Sequence, residues 1–289
     1  MLIINSKREL IDALRIDRER SHKITLIPTM GNLHRGHLSL IDKSEEFPSK
    51  KIVSIFVNPL QFDDSNDYMS YPKTIEEDLE ALEKREIDYV FVPTREEMIE
   101  NLTESNQLPW GFSNLLCGSY REKHFQGVQK IIRELFQIIK PDFAVFGEKD
   151  FQQYLLIKYI NKQYFQKADF QIILSPTIRM DNGLAFSSRN IRLSDNQINH
   201  AAVAFQSIKN TVLDYFHETS LFNFENLIPQ PGRITYQYVK LYNEKYLFDK
   251  HGLETDDNFK QKNFRLFIAL VIDDVRLIDN YRVEGYDVT

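Results

Sequence analysis

Pro28-Thr29-Met30-Gly31-Asn32-Leu33-His34-Arg35-Gly36-His37 is the stretch on which the fold turns. It follows the apolar run Lys23–Ile27, a strand candidate, and leads into the helix candidate Leu38–Ser44. A strand that passes through a short turn into a helix aims the free N–H groups of that helix at whatever sits beyond the strand. Gly31 and Gly36 permit tight backbone approach there. Two imidazoles three residues apart can point at the same phosphates, and their N–H groups would stabilise charge developing on a transferred phosphate and a departing pyrophosphate. The plain alternative is a turn with two exposed histidines; the strand–turn–helix setting favours the phosphate site. Zinc is a further alternative, but no second Cys or His cluster supplies the remaining ligands.

Outward from this turn, short apolar runs alternate with helical stripes. Strand candidates are Lys23–Ile27, Lys51–Val57, Asp88–Val92, Phe143–Phe146 and Gln171–Leu174. Between them, Thr74–Lys84 opens with Thr74 and Glu77 at capping-box spacing. Gly127–Ile139 carries apolar residues at helical period and is stopped by Pro141, and Asp150–Ile160 is a further helix. Alternating β and α elements predict a doubly wound, Rossmann-like parallel sheet in residues 1–176, with ligands at the carboxyl ends of its strands. After Pro176 a loop, Thr177–Leu193, precedes a helix from about Ser194. A polar linker around Pro229–Gly232, an alternating segment Ile234–Leu241 and an apolar strand Phe264–Ile272 follow. Residues 177–289 read as a smaller α+β domain.

Composition narrows the class. With 42% hydrophobic and 27% charged residues the chain has material for a sizeable core, which argues against disorder. A net charge of −6 disfavours nucleic-acid binding by bulk electrostatics, so anionic ligands need locally placed cations or helix N-termini. The single cysteine, Cys117, leaves no disulfide framework and fits a reducing compartment; it is a reactive thiol or, beside Leu115 and Leu116, a small apolar filler. The N-terminus has no signal-like apolar core, and no apolar run approaches the roughly 20 residues of a membrane span. These features predict a cytoplasmic protein.

Three further motifs carry chemistry. Val53–Val57 runs into Asn58-Pro59-Leu60-Gln61-Phe62, with Tyr71-Pro72-Lys73 beyond. Asn58 and Gln61 can donate and accept, which suits the hydroxyls and carboxylate of a small hydroxy acid; a strand-terminal turn is the alternative. His124-Phe125-Gln126-Gly127-Val128 precedes Gly147-Glu148-Lys149-Asp150-Phe151-Gln152-Gln153. There Lys149 is placed to neutralise phosphate, and Asp150 either meets ribose or adenine or caps the helix. Asp181-Asn182-Gly183-Leu184-Ala185-Phe186-Ser187-Ser188-Arg189 reads as a loop able to close over a triphosphate, or as a polar interdomain loop.

The His34-Arg35-Gly36-His37 element resembles the HxGH hallmark of the nucleotidyltransferase superfamily. Together with the three other segments, in the same order, it is similar to the pantothenate synthetases (pantoate–β-alanine ligases). Arg276-Leu277-Ile278-Asp279-Asn280 resembles that family's ending. The resemblance implies condensation of pantoate with β-alanine through a pantoyl-adenylate, with ATP as substrate, Mg2+, a homodimer, and a C-terminal lid carrying the Ser-Ser-Arg loop. It assigns ATP to Met30, Gly31, Asn32, Leu33, His34, Arg35, Gly36, His37, Gly147, Glu148, Lys149, Asp150, Ile178, Phe186, Ser187, Ser188 and Arg189. Pantoate and β-alanine fall to Gln61, Gln153, Asn58, Tyr71 and His124, with Arg121 on the same side. The catalytic burden rests on His37, His34, Lys149 and Arg189, with His37 at the position of a proton donor. Glu77 and Asp78 match acidic positions near the site, where helix capping or solvation is the alternative. Departures are Asp63 for a usual glycine, Glu122-Lys123 for Pro-Gly, Phe186 for methionine and Lys73 for arginine. Another HxGH nucleotidyltransferase or a non-catalytic ATP-binding relative would keep the first motif; the latter fits poorly because His37, Lys149 and Arg189 are all present.

Overall fold

Ile24 to Ile27 is apolar at nearly every position, a pattern that suits a strand covered on both faces. The computed structural model describes residues 1–100, 102, 108–166, 170–216, 234–244, 247 and 264–283, without the side chains of 215 and 216. The expected linker at Pro229–Gly232 lies outside the described residues. In chain order the elements are β1 (Leu2–Ile4), α1 (Lys7–Glu19), β2 (Ile24–Thr29), α2 (Arg35–Ser44), β3 (Lys50–Ile55), α3 (Ser65–Met69), α4 (Ile75–Glu83), β4 (Tyr89–Phe91) and α5 (Arg95–Ile99). Then come α6 (Trp110–Asn114), α7 (Cys117–Tyr120), α8 (His124–Ile139), β5 (Phe143–Gly147), α9 (Phe151–Tyr164), β6 (Gln171–Ser175), α10 (Asp195–Phe216), β7 (Ile234–Asn243), β8 (Phe264–Ile272) and β9 (Val275–Val283). They form two compact units, one of residues 1–108 and 121–178, the other of 109–120 and 179–289. The stretch from Pro109 to Tyr120 is thus part of the second unit although it interrupts the first in sequence.

The first unit is a six-stranded parallel sheet in the order β1-β4-β3-β2-β5-β6. From β2 the chain builds outward through β3 and β4, then returns to place β5 on the other side of β2. The topological switch point therefore lies between β2 and β5, where such sheets bind ligands. Ile27, Val53, Ile55, Val90 and Val145 share a core with Leu40 and Ile41 of α2 and Leu82 of α4. Because side chains alternate along a strand, Leu26, Ile52, Phe91 and Ala144, also buried, serve the opposite face. Helix α8 ends where Lys140 takes a left-handed conformation (φ 45°, ψ 60°) immediately before Pro141, which cannot continue a helix.

The expected capping box at Thr74 does not form. Thr74 has φ −125° and ψ 50°, away from the extended geometry of an N-cap, and its hydroxyl instead donates to Asp78 Oδ1 at 3.3 Å.

The second unit is a three-stranded antiparallel sheet, β7-β8-β9, with α10 packed on it. Ala201, Ala202 and Ala204 keep the helix face low, so Phe205, Ile208 and Val212 can interlock with Leu266, Ile268 and Leu270 in one core.

Leu82 is fully buried in the α2–α4 core. Leu82→Ala should cost about 2–5 kcal/mol, the usual range for a buried leucine truncation. Urea unfolding followed by far-ultraviolet circular dichroism reads it as a lower midpoint; an unchanged midpoint would contradict the packing.

Candidate active site

The turn after β2 is shaped by a carboxylate from a helix 46 residues away in sequence. Gly31 has φ +79° and Asn32 φ 50°, two successive left-handed residues that turn neighbouring N–H groups to the same side. Asp78 of α4 receives them: Asn32 N–H donates to Oδ2 at 2.9 Å and Leu33 N–H to Oδ1 at 2.7 Å. A Cβ on Gly31 would stand 2.9 Å from Asp78 Oδ2, so the approach requires glycine. Burial pushes the Asp78 carboxyl above its usual range, and the Leu33 and Asn32 N–H bonds pull against that. From the sequence Asp78 matches an acidic position near the family's site, with helix capping or solvation as the alternative. Its signal is an acidic residue on the buried side of its helix; only the folded loop reveals its partners.

The two histidines cap α2 with their own rings. Gly36 N–H donates to His34 Nδ1 at 3.1 Å, and His34 N–H donates to His37 Nδ1 at 3.4 Å. The rings stack with centroids 4.0 Å apart. Since both Nδ1 atoms accept, each ring carries its proton on Nε2. Desolvation, then the charges of His37 and Lys149, lower His34 to about 2. Desolvation, then Lys149, lower His37 to about 4, while Asp150 pulls the other way. Both imidazoles are therefore neutral at pH 7. Lys149 follows the end of β5, in the turn Glu148–Asp150 that opens α9, with its Nζ 3.5 Å from Asp150 Oδ2. The turns after β2 and after β5 thus meet at the switch point. Gln153 lies in the first turn of α9, half-buried.

Gln61 is held from every side. Its Nε2 donates toward Met30 Sδ at 3.0 Å, and its Oε1 accepts from Asn58 Nδ2 at 3.1 Å. Asn58 also donates to Gly127 O at 3.1 Å and accepts from Leu60 N–H at 3.0 Å. The Asn58 amide is thus engaged inside the protein, and its geometry serves to orient Gln61. The Gln61 carbonyl lies 3.1 Å from Arg121 Nη2 and 3.2 Å from His124 Nδ1. Tyr71 is buried, its ring edge-on to Phe62 at 5.7 Å. Gly127 carries no role of its own in the sequence motif. A Cβ there would lie 2.3 Å from the Leu60 carbonyl, so glycine lets α8 rest directly on the Pro59–Gln61 turn. Two departures from the family pattern meet: Asp63 Oδ1 accepts from Lys123 N–H at 2.9 Å, and Arg121 Nε lies 3.7 Å from Asp63 Oδ2.

Ile178 ends the first unit; Phe186, Ser187, Ser188 and Arg189 belong to the second. There Arg189 N–H donates to Ser187 Oγ at 3.3 Å and Asn190 N–H to Ser187 O at 2.9 Å, a tight turn that leads into Asn190–Arg192.

A doubly wound sheet with a histidine-capped helix and a lysine turn at its switch point defines a nucleotide-using α/β enzyme. Residues 2–282 match the profile of the pantoate-beta-alanine ligase family. The chain is 39% identical to a pantothenate synthetase of Thermodesulfovibrio yellowstonii, with 96% of each chain covered. It is similar in structure to the crystal structure of pantothenate synthetase from Thermus thermophilus, with TM-score 0.84, 31% identity and 98% and 100% of the two chains covered. It is also similar to a Francisella tularensis pantoate-beta-alanine ligase complexed with beta-gamma ATP and beta-alanine, at TM-score 0.76, 33% identity and coverage of 98% and 97%. The chain belongs to the pantoate–β-alanine ligase family, and is an enzyme of the ligase class.

Two outcomes follow from this geometry. Gly127→Ala should displace the Pro59–Gln61 turn, with a loss of about 1–3 kcal/mol of stability from overpacking and altered steady-state kinetics. Unaltered kinetics and melting would reject the close approach. For the histidines, folded pKa values depressed from 6.5 mean that the unfolded chain binds more protons between pH 4 and 6.5. Stability should be full above pH 6.5 and fall as pH drops toward 4. A His34→Asn/His37→Asn variant should show a shallower decline in melting temperature across that window; an identical slope would show that the rings are not depressed.

Proposed function

We propose that the protein activates pantoate with ATP and transfers the pantoyl group to β-alanine. The observation that carries the reading is the pair of neutral imidazoles at the α2 N-terminus, acting with Lys149 at the sheet's switch point. Pantoate's carboxylate is already a nucleophile at pH 7, so the first step needs alignment and charge stabilisation rather than a general base. The carboxylate attacks the α-phosphorus of ATP in line and displaces pyrophosphate, forming a pantoyl-adenylate. His34 and His37 donate from Nε2 to phosphate oxygens on which charge builds. Lys149, Ser187, Ser188 and Arg189 neutralise and bind the rest of the triphosphate. Met30 to Leu33, Arg35, Gly36, Gly147, Glu148, Asp150, Ile178 and Phe186 complete the nucleotide site. Gln61, oriented by Asn58, takes pantoate, with Gln153, Tyr71 and His124 on the same side.

In the second step the deprotonated amine of β-alanine attacks the mixed anhydride's carbonyl, and AMP leaves. His37, neutral and with Nδ1 engaged, supports this step as a hydrogen-bond donor. Among the described residues no three His, Cys, Asp or Glu side chains are grouped to hold a metal ion. Magnesium would enter with ATP as the substrate complex and would neutralise part of the phosphate charge. The family likeness supports a homodimer. No described helix is long and apolar enough to cross a membrane, and the single-cysteine composition supports a cytoplasmic setting.

Incubation with MgATP and pantoate should release pyrophosphate, and AMP should appear only when β-alanine is added. His37→Ala should lower turnover by about 10²–10³-fold, the usual effect of deleting one donor to developing charge. Absence of pantoate-dependent pyrophosphate release in the unaltered protein would overturn the assignment.

A further inference from the structure

The C-terminal motif Arg276–Asn280 has no part in the chemistry above. It lies on β9, where alternation puts Leu277, Asp279, Tyr281 and Val283 on one face. Leu277, Tyr281 and Val283 of that face belong to the second unit's core, so a carboxylate among them is out of place unless paired. Asp279 is paired thoroughly. Arg179 donates to it in a two-pronged fork, Nη1 to Oδ2 at 2.6 Å and Nη2 to Oδ1 at 3.0 Å. Tyr281 Oη donates to Oδ2 at 2.8 Å, and Asn280 N–H donates to Oδ1 at 2.8 Å. The guanidinium also lies over the Tyr281 ring, 4.6 Å from its centroid.

The same guanidinium also reaches the hairpin that leads to the nucleotide loop: the Arg179 Nη1 that meets Asp279 donates to Gly183 O at 3.1 Å as well. The Arg179 backbone pairs with Ala185 in an antiparallel bridge, and Met180 N–H donates to Leu184 O at 2.8 Å. Gly183 at the hairpin tip has φ +86°, a left-handed conformation that favours glycine. Asn190 Nδ2 donates to Ala185 O at 3.2 Å and closes the far side of Phe186–Arg189. A continuous path of hydrogen bonds thus runs from Asp279 through Arg179 and the Met180–Ala185 hairpin to the Ser187–Arg189 turn.

We propose that Asp279 is a positioning residue for the nucleotide-binding loop, acting through the Arg179 fork to fix where Ser187, Ser188 and Arg189 present their donors. A buried ion pair is a weak source of net stability, because desolvation offsets the attraction. Its directional fork instead fixes one loop geometry. The inference rests on the assignment of that loop to ATP.

The test measures steady-state kinetics and melting of Asp279→Asn, Asp279→Glu and Arg179→Lys, with Val212→Ala as a destabilised core control in the same unit. Asp279→Asn should raise KM for ATP by about tenfold or more while leaving KM for pantoate within about twofold, the pattern of lost nucleotide binding. Asp279→Glu, which keeps a carboxylate, should recover part of the ATP affinity, and Val212→Ala should lower melting temperature without moving KM for ATP. If Asp279→Asn does not fold, Arg179→Lys carries the same prediction, since an ammonium cannot make the fork. A lower melting temperature with unchanged KM for ATP, or parallel rises in both KM values, would overturn the inference. If the unaltered protein shows no pantoate-dependent reaction, the functional assignment fails by itself. Equilibrium dialysis with MgATP then decides the positioning role, supported by weaker binding in Asp279→Asn and rejected by equal binding.

Discussion

The histidine turn of this protein depends on one contact: the Asp78 carboxylate against two successive N–H groups of the turn after β2. Residues 31 and 32 take left-handed conformations that an L side chain resists, so the turn needs a strong partner to hold it. A buried carboxylate receiving two charge-assisted bonds supplies that partner. With the turn fixed, α2 begins at Arg35 and its first N–H groups point beyond β2. The histidine rings follow, because each is held by a backbone N–H of the same turn. Fold and site are here the same set of hydrogen bonds.

The Gln61 region is built on a different constraint, direct contact between main chains. Gly127 lets α8 lie on the Pro59–Gln61 turn with no side chain between them. Asn58 then bridges the two, bonding Gly127 O and Gln61 Oε1 from one amide. The Gln61 carbonyl is pinned by Arg121 and His124, which stand at the opposite end of the same contact. With its Oε1 engaged by Asn58 and its Nε2 by Met30, the Gln61 side chain keeps little rotamer freedom.

Much of this is legible in the sequence, and the rest is hidden for identifiable reasons. The core strands of the parallel sheet are visible because strands buried on both faces are largely apolar, and Ile24–Ile27 and Phe143–Phe146 have no competing periodicity. Strand β1 escapes because three residues carry no pattern. Helix α1 escapes because its buried positions, Leu10, Leu14 and Asp17, are scattered among charges and include an acid. Strand β9 escapes because Arg276, Asp279 and Arg282 break its apolar run; Asp279 is a core residue by virtue of a partner 100 residues away. The histidine turn is legible as a strand–turn–helix junction because its three parts are contiguous. The partners of Asp78 and the close approach at Gly127 are not, since they lie in backbone groups of remote segments that no spacing rule connects. The segment Pro109–Tyr120 shows the same limit. Buried Cys117 sits 3.2 Å from Tyr238 Oη and 3.5 Å from Arg276 Nη2, contacts that place it in the second unit, whereas its sequence neighbourhood suggests an apolar filler or a reactive thiol.

The ring hydrogen bonds also constrain what the histidines can do. A histidine that shuttles protons needs a lone pair available to accept one. In His34 and His37 the Nδ1 lone pairs accept backbone N–H groups, so protonation there would break the cap of α2, and Nε2 already carries a proton. Desolvation and the nearby Lys149 charge oppose imidazolium formation as well. The arrangement favours fixed donors, whose alignment is set before a ligand binds and needs no reorganisation as charge develops. The two rings differ in degree. The His34 bond is 3.1 Å and the His37 bond 3.4 Å, and Asp150 acts on His37 in favour of its charged form. His34 is thus the more firmly fixed of the two rings, and His37, which feels the Asp150 charge, is the less tightly tied.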